Sequence, residues 1–203
     1  LSYSLRDATA TAADSNGQTY FQSLYTSGYH RSEAEMEKKN RVGETLAGAN
    51  LQYTAARLSV GLTAYAQHDH LLLTDKSYQL SVLDYFSGAD NYNVGADVRY
   101  MWNNVLLFAE TAFDPSAANA TIAGVQIYTH SAARLAAYYR HYSAKYCNMY
   151  TSALGQNADS RNEQGLCTML ECEIPWGITL RATADVYKFP WPKYRIYSPS
   201  IGN

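Results

Sequence analysis

The stretch that decides the fold is Asn91 to Phe113, which reads Asn-Tyr-Asn-Val-Gly-Ala-Asp-Val-Arg-Tyr-Met-Trp-Asn-Asn-Val-Leu-Leu-Phe-Ala-Glu-Thr-Ala-Phe. Apolar and polar side chains alternate along both halves, and this period of two indicates β-strands whose two faces meet different surroundings. Asn103 and Asn104 separate the halves, and asparagine tolerates the positive φ of tight hairpin turns. The stretch therefore predicts a β-hairpin with one apolar face and one charged face.

The same alternation recurs along the chain and predicts four hairpins, at residues 45–68, 91–113, 120–142 and 162–187, after a strand stub at 1–6. The short connections lie near residues 56, 103, 131 and 176, whereas the connections at the other end are mostly longer. Strands of about ten residues with short turns at one end and long loops at the other are typical of transmembrane barrels. We therefore predict an all-β fold, an antiparallel up-and-down transmembrane β-barrel.

The domain organisation follows from the strand count. We expect one β-barrel domain, or a portion of one, over residues 1–203, with a long loop at 7–44 and a loop at 188–203. The capping pattern Ser32-Glu33-Ala34-Glu35 places a short helix at 33–40 within the first loop. Nine strands make an odd number, and bacterial single-chain barrels have even numbers. We therefore expect the chain to be a segment of a larger barrel.

The direction of each face follows from its charges. The apolar faces are nearly free of charge, whereas the polar faces mix both signs and carry no lysine before Lys188, which favours lipid outside and a polar lumen inside. The side chains expected to contact lipid include Val60, Leu62, Val94, Val98, Leu107 and Leu180. The rings expected to form an interfacial girdle are Tyr53, Tyr92, Tyr100, Trp102, Phe113 and Trp176. The charges expected to line the lumen, largely as salt bridges, are Asp97, Arg99, Glu110, Arg134, Arg140, Glu171, Glu173, Arg181 and Asp185.

Composition limits the classes of partner and cofactor. The formal net charge of −2 gives no electrostatic argument for nucleic-acid binding. The apolar runs are too short for a membrane-spanning helix. The three cysteines, Cys147, Cys167 and Cys172, indicate neither a disulfide framework nor a zinc site, and their pairing stays open. No cofactor is predicted, and Leu1–Arg6 reads as strand rather than as a signal peptide, which suggests that targeting sequence was removed or that the chain begins within a longer protein.

Short motifs carry a family resemblance. They are Tyr29–Glu35 followed by Lys38–Asn40, Gly88–Gly95, Tyr139–Ser143 and, most specifically, Tyr187–Arg195. Together they resemble the barrel regions of large Gram-negative outer-membrane proteins that carry an N-terminal helix-hairpin-helix domain. The resemblance implies a barrel in the cell outer membrane. The helix-hairpin-helix domain itself is absent from these residues, so no DNA-related role and no catalytic residue is carried over.

Two constellations could support chemistry. His68-Asp69-His70 could ligate a metal, but His68 and His70 share one strand face and no further ligand is identifiable, so we predict polar residues at a membrane rim. Glu171 and Glu173 could do acid–base work, but Arg181 opposite them favours salt bridges. We therefore predict no metal site, no catalytic residue and no enzyme, although a barrel enzyme that depends on Glu171 or His68 is a third class to test.

The function predicted from these patterns is a pore, a transport component or a structural platform for partner proteins in the outer membrane. The expected partners are the lipid bilayer and other outer-membrane or periplasmic proteins. The alternative is a soluble, tyrosine-rich β domain that binds carbohydrate or protein through aromatic loops, because the chain has 19 tyrosines and tyrosine joins an apolar ring to a polar end.

Overall fold

The fold was obtained as a computed structural model. The structure describes residues 2–8, 10–15, 18–24, 29–73, 86–129, 133–152, 154–157, 159–174, 176–193 and 196–203. The elements are β1 Ser2–Ala8, β2 Ala10–Ser15, β3 Gln18–Leu24, α1 Glu33–Met36, β4 Val42–Thr54, β5 Leu58–Leu73, β6 Gly88–Trp102, β7 Val105–Phe113, β8 Asn119–Tyr128, β9 Ala133–Tyr142, β10 Glu163–Ile174, β11 Ile178–Phe189 and β12 Ser200–Gly202.

Ten strands form one antiparallel meander in the described part of the chain. Their order is β1-β4-β5-β6-β7-β8-β9-β10-β11-β12, so that from β4 onward each strand pairs with its successor in sequence. The predicted all-β, antiparallel up-and-down architecture is thereby confirmed. Within the described residues β1 and β12 lie at opposite edges of the sheet without pairing, so the sheet is open.

The short turns form where the sequence predicts them. Asn103 adopts φ 53° between β6 and β7, and Trp176 and Gly177 both adopt φ 75° between β10 and β11. Positive φ at the central residues gives hairpin turns the twist of the flanking strands. Between β4 and β5 the amide of Ala55 donates to Leu58 O at 2.7 Å. The predicted turn at Ser131 lies outside the described residues.

The predicted long loop at 7–44 is wrong for its first half. β2 and β3 form a hairpin there, and β3 also pairs in parallel with the end of β5. Ala, Thr, Ser and Asp dominate residues 7–15 and favour a loop, but Asn16-Gly17 is itself a hairpin signal in the sequence. The short helix is confirmed in type and start: Ser32 caps it by accepting from the Glu35 amide at 3.3 Å, although it ends at Met36.

The predicted terminal loop at 188–203 is also partly wrong. β11 continues to Phe189, and β12 pairs with its end through Tyr187↔Gly202 and Phe189↔Ser200. The backbone groups at this end of β11 would otherwise have no strand partner on that side, and β12 supplies one. Three prolines near Phe189 indicated a loop and concealed a strand of only three residues.

The distribution of buried side chains is the reverse of that in most soluble proteins, where apolar side chains are buried and polar ones exposed. In the described part of the chain, the buried apolar cluster is small and consists of Phe21, Val42 and Leu73, where β3, β4 and β5 meet. Most other large apolar side chains of β4–β11 are exposed, whereas several polar side chains are enclosed. No helix among the described residues is long and apolar enough to cross a membrane.

Candidate functional site

The polar face of β4–β11 is covered by residues 143–162, which we call the inner segment, and we call this face the inner face. All nine charged residues predicted to line a lumen lie on it. Polar side chains are seldom enclosed unless they have partners, so the contacts of this face define the candidate site. The charged and amide side chains of the inner face that are less than 5% exposed are Glu44, Gln67, Asp69, Asn91, Asn93, Arg140 and Glu163.

The inner segment leaves and rejoins the sheet at a single point. The Ser143 amide donates to Asn119 O at 2.9 Å, and the Asn162 amide donates to Ser143 O at 3.2 Å. The β9–β10 hairpin is therefore closed at its base by its own backbone. Residues 144–161 form a compact excursion whose ends lie together, which is the geometry of an Ω-loop.

The inner segment leads from Ser143 to its tip at Tyr150, and we call this part the outgoing arm. Cys147 anchors the outgoing arm through its backbone. Its amide donates to Asp114 Oδ2 at 2.9 Å, and its carbonyl accepts from Asn93 Nδ2 at 3.0 Å and from Asn91 Nδ2 at 3.4 Å. Burial raises the pKa of the Cys147 thiol to about 12, because the uncharged form is favoured away from water. The thiol is thus protonated at neutral pH, and Cys147, Cys167 and Cys172 are all free.

The tip of the inner segment reaches β4, five strand positions from β9. The Tyr150 hydroxyl donates to the Glu44 carboxylate, with O···O distances of 2.5 and 2.6 Å. On the way, Asn148 Oδ1 accepts from the Tyr65 hydroxyl at 3.1 Å. Five strand spacings amount to about 24 Å across a flat sheet, about the fully extended length of the seven residues from Ser143 to Tyr150, so these contacts favour a sheet that curves around the segment.

We call the part of the inner segment that leads back to Asn162 the returning arm, and Arg140 holds it in place. Its Nε donates to Glu163 Oε1 at 2.6 Å, and its two terminal nitrogens donate to the two oxygens of Asp185 at 2.8 Å each. Glu163 also accepts the amides of Gln156 and Asn157 at 2.9–3.0 Å. A fork of two parallel bonds to one carboxylate is the strongest arrangement available to arginine.

Gly165 makes room for this guanidinium. A Cβ at residue 165 would lie 2.6 Å from Arg140 Cζ, closer than any real contact. The absence of a side chain on β10 therefore lets Arg140 extend across its neighbour strand to Asp185 on β11.

The other charges predicted to line a lumen divide into paired and unpaired groups. Arg181 Nε donates to Glu171 Oε2 at 2.6 Å, as the sequence predicts, but this pair is well exposed. Asp97 and Glu110 are direct cross-strand neighbours. Among the described residues no ion pair joins Arg99 to either carboxylate, so opposite signs on this face do not all pair. Arg134 lies over the ring of Tyr128, 5.5 Å from its centroid, and Glu173 is exposed near the β10–β11 turn.

The outer face carries the residues predicted to contact lipid and the predicted girdle, with Trp176 in the turn beside it. All of these side chains are at least 36% exposed. The residues are Val60, Leu62, Val94, Val98, Leu107 and Leu180 together with Tyr53, Tyr92, Tyr100, Trp102, Phe113 and Trp176.

His68-Asp69-His70 is split between the two faces. His68 and His70 lie on the outer face with ring centroids 5.7 Å apart, and His68 Nδ1 lies 2.7 Å from Asp90 Oδ1. Asp69 is buried on the inner face, where Gln67 Nε2 donates to it at 2.9 Å. The alternation of a strand therefore keeps the three side chains from converging on one ion.

Sequence reasoning missed Glu44 and Glu163, although both had a signal. Glu163 is in phase with Glu171 on the same strand, and Glu44 lies one residue before the predicted start of its strand. Extending the alternation by a residue or two at strand ends would have found them. Tyr150 had no such signal, because the inner segment has no periodic pattern.

Comparison with protein-family models, with curated proteins and with solved structures found no match to this chain. The resemblance to helix-hairpin-helix outer-membrane proteins stays a prediction. Two of its motifs supply contacts of the site: Gly88–Gly95 contains Asn91 and Asn93, and Tyr139–Ser143 contains Arg140 and Ser143.

Changing Arg140 to Ala should lower the free energy of unfolding by about 3–5 kcal/mol, because Glu163 would keep a buried charge without its cation. The matched control is Arg181→Ala, whose pair with Glu171 is exposed and should contribute about 0–1 kcal/mol. Denaturant unfolding of both variants measures the difference. Equal losses would contradict the assigned role of Arg140.

Changing Tyr150 to Phe removes the hydroxyl that donates to Glu44 and should release the tip of the inner segment. We expect amide hydrogen exchange to become about tenfold faster or more at residues 148–152, since a hydrogen bond to a charged group contributes about 1.5–3 kcal/mol. Tyr139→Phe, on the outer face, is the matched control. Unchanged exchange in Tyr150→Phe would show that this contact does not hold the tip.

Proposed function

We propose that this chain is part of the wall of an outer-membrane β-barrel that passes small polar solutes, with the inner segment narrowing the passage. The observation that carries the proposal is the inversion of burial across the sheet. Charged and amide side chains are enclosed on the inner face, while Leu, Val, Tyr and Trp side chains are exposed on the outer face. Lipid is the solvent in which that arrangement is stable.

The outer face also supports the proposal through its lack of charge. Along the described outer positions of β4–β11, acidic, basic and histidine side chains occur only near the ends that lie away from the short turns. They are His68, His70, Asp90, His141 and Lys188. A soluble monomer rarely exposes a contiguous apolar patch larger than a few hundred Å², so the soluble alternative leaves this face unexplained.

The strand register supports a tilted wall. Thr54 is the last residue of β4. Following the paired residue from each strand to the next, seven steps lead from Thr54 to Asp185 on β11. Asp185 lies seven residues beyond Ile178, the first residue of β11. The strand ends at the short turns are therefore displaced along the strand direction by one residue for each strand crossed. With about 3.3 Å per residue and about 4.8 Å between strands, the tilt is about 35°, within the range of about 35–45° for transmembrane barrels.

The height of the apolar band agrees with a bilayer. On β6 the band runs from Tyr92 to Trp102, about 33 Å along the strand at about 3.3 Å per residue. A tilt of about 35° reduces this to about 27 Å, close to the band of about 25 Å on outer-membrane barrels. Rings stand at both ends of this span, as an interfacial girdle requires.

The inner face supports passage of polar solutes rather than a role as platform alone. The inner segment and the inner face leave a cavity of about 500 Å³ between them. Mixed charges at Asp97, Arg99 and Glu110 argue against strong ion selectivity. The inner segment is the element that limits the size of what passes.

Changing Ala182 to Arg should lower the free energy of unfolding in lipid vesicles by about 2–4 kcal/mol, because residue 182 faces the middle of the apolar band. The control is Thr183→Arg, one residue away on the inner face, which should change it by less than about 1 kcal/mol. Equal effects, or full-length protein that is monomeric without detergent, would contradict the membrane location.

Excising residues 144–161 and joining Ser143 to Asn162 through Asn-Gly should leave the sheet intact, because the hairpin already closes at this pair. Single-channel conductance of the full-length protein in planar bilayers should rise at least twofold as the passage widens. The control is excision of Lys38 and Lys39, which lie in the turn after α1, outside the inner segment. Equal conductance of the excised and intact proteins would contradict the constricting role.

A further inference from the structure

The cavity beneath the inner segment has the dimensions of a binding site. Its volume of about 500 Å³ lies within the range of about 300–1,000 Å³ common for small-molecule sites. Four tyrosines contribute to its walls, two from the sheet and two from the inner segment: Tyr65, Tyr142, Tyr146 and Tyr150. Their rings offer apolar faces of fixed position beside the polar side chains of Asn93 and Glu110.

Glu110 is the one charged side chain among the described residues that line this cavity. It forms no hydrogen bond or ion pair within the described part of the chain, and its cross-strand neighbours are Asp97 and Ile122. The cavity therefore offers a free carboxylate without a balancing cation. An anionic ligand would be repelled here.

Asn93 adds a second free acceptor. The side chain is 4% exposed and lines the cavity. Its Nδ2 donates to Cys147 O at 3.0 Å, whereas its Oδ1 has no partner. A buried acceptor without a donor is costly, and a ligand that donates a hydrogen bond would satisfy it.

The tyrosine hydroxyls extend the same pattern. Tyr65 donates its proton to Asn148 Oδ1, Tyr142 to Leu154 O at 3.3 Å, and Tyr150 to Glu44. The Tyr65 and Tyr142 hydroxyls have thereby used their one donor and keep lone pairs. The cavity thus combines ring faces with several spaced acceptors.

We propose that this cavity is a binding site for a neutral, polyhydroxylated ligand of the sugar class. Sugar hydroxyls donate to acceptors at several points around a ring, and the C–H faces of the sugar pack against aromatic rings. A compact ammonium ion would match Glu110 and would lie over one tyrosine ring, but a single ammonium group does not span the spaced acceptors of the cavity. The site needs the folded sheet and the inner segment but no bilayer, so it is independent of the proposed outer-membrane role.

Titration calorimetry of the full chain, folded in detergent, tests the ligand class with three probes: maltose, glucuronate and spermidine. We expect maltose to bind and glucuronate to bind at least tenfold more weakly, because Glu110 repels its carboxylate. Tighter binding of glucuronate or spermidine than of maltose would overturn the proposal, as would binding of none of the three.

Variants test the site itself. Glu110→Gln keeps the shape but removes the charge, and should weaken maltose binding about tenfold, since charge-assisted hydrogen bonds are roughly twice as strong as neutral ones. Glu171→Gln is the control, an inner-face carboxylate outside this cavity, and should bind maltose as the parent does. Ala120→Phe should abolish binding by filling the cavity, with an unchanged circular dichroism spectrum showing that the sheet is folded. Parent-like maltose binding by both Glu110→Gln and folded Ala120→Phe would overturn the assignment.

Discussion

The buried guanidinium of Arg140 is the interaction on which the inner face depends. It joins β9 to Glu163 on β10 and to Asp185 on β11, and through Glu163 it fixes the backbone at Gln156 and Asn157. An enclosed charge is tolerated only with partners of opposite sign and good geometry. The position of the returning arm, and with it the enclosure of the cavity, follows from that requirement.

The outgoing arm depends on a different constraint, namely that buried backbone groups need hydrogen-bond partners. Asn91, Asn93 and Asp114 form hydrogen bonds with the backbone of Cys147. Buried polar groups need such partners because water is excluded from them. The two arms together make the sheet and the inner segment one unit, in which neither surface is complete without the other.

The sequence predicted most of the sheet and little of the inner segment. Alternation located all eight strands of the four hairpins, because a strand with two different environments has a clear period. It failed at β2, where small residues lack contrast between faces, and at β12, which is too short for a pattern. The faces of Arg140, Asp185, Glu171 and Arg181 were predictable from phase alone.

The inner segment was beyond prediction, because its conformation is set by contacts with residues far away in sequence. Glu44 and Tyr150 lie 106 residues apart, and nothing local to either indicates the other. The same holds for the free acceptor of Asn93, which becomes significant only when the inner segment lies over it.

The closure of the hairpin at Ser143 and Asn162 has a consequence for how such a protein diversifies. Because the strand register on both sides is set before residue 144 and after residue 161, substitutions, insertions and deletions between them leave the alignment of the wall unchanged. The residues of the inner segment can therefore change while the pairing of the strands stays constant. Variation within the inner segment would alter one side of the cavity, while the side formed by the sheet, with Asn93 and Glu110, would stay as it is.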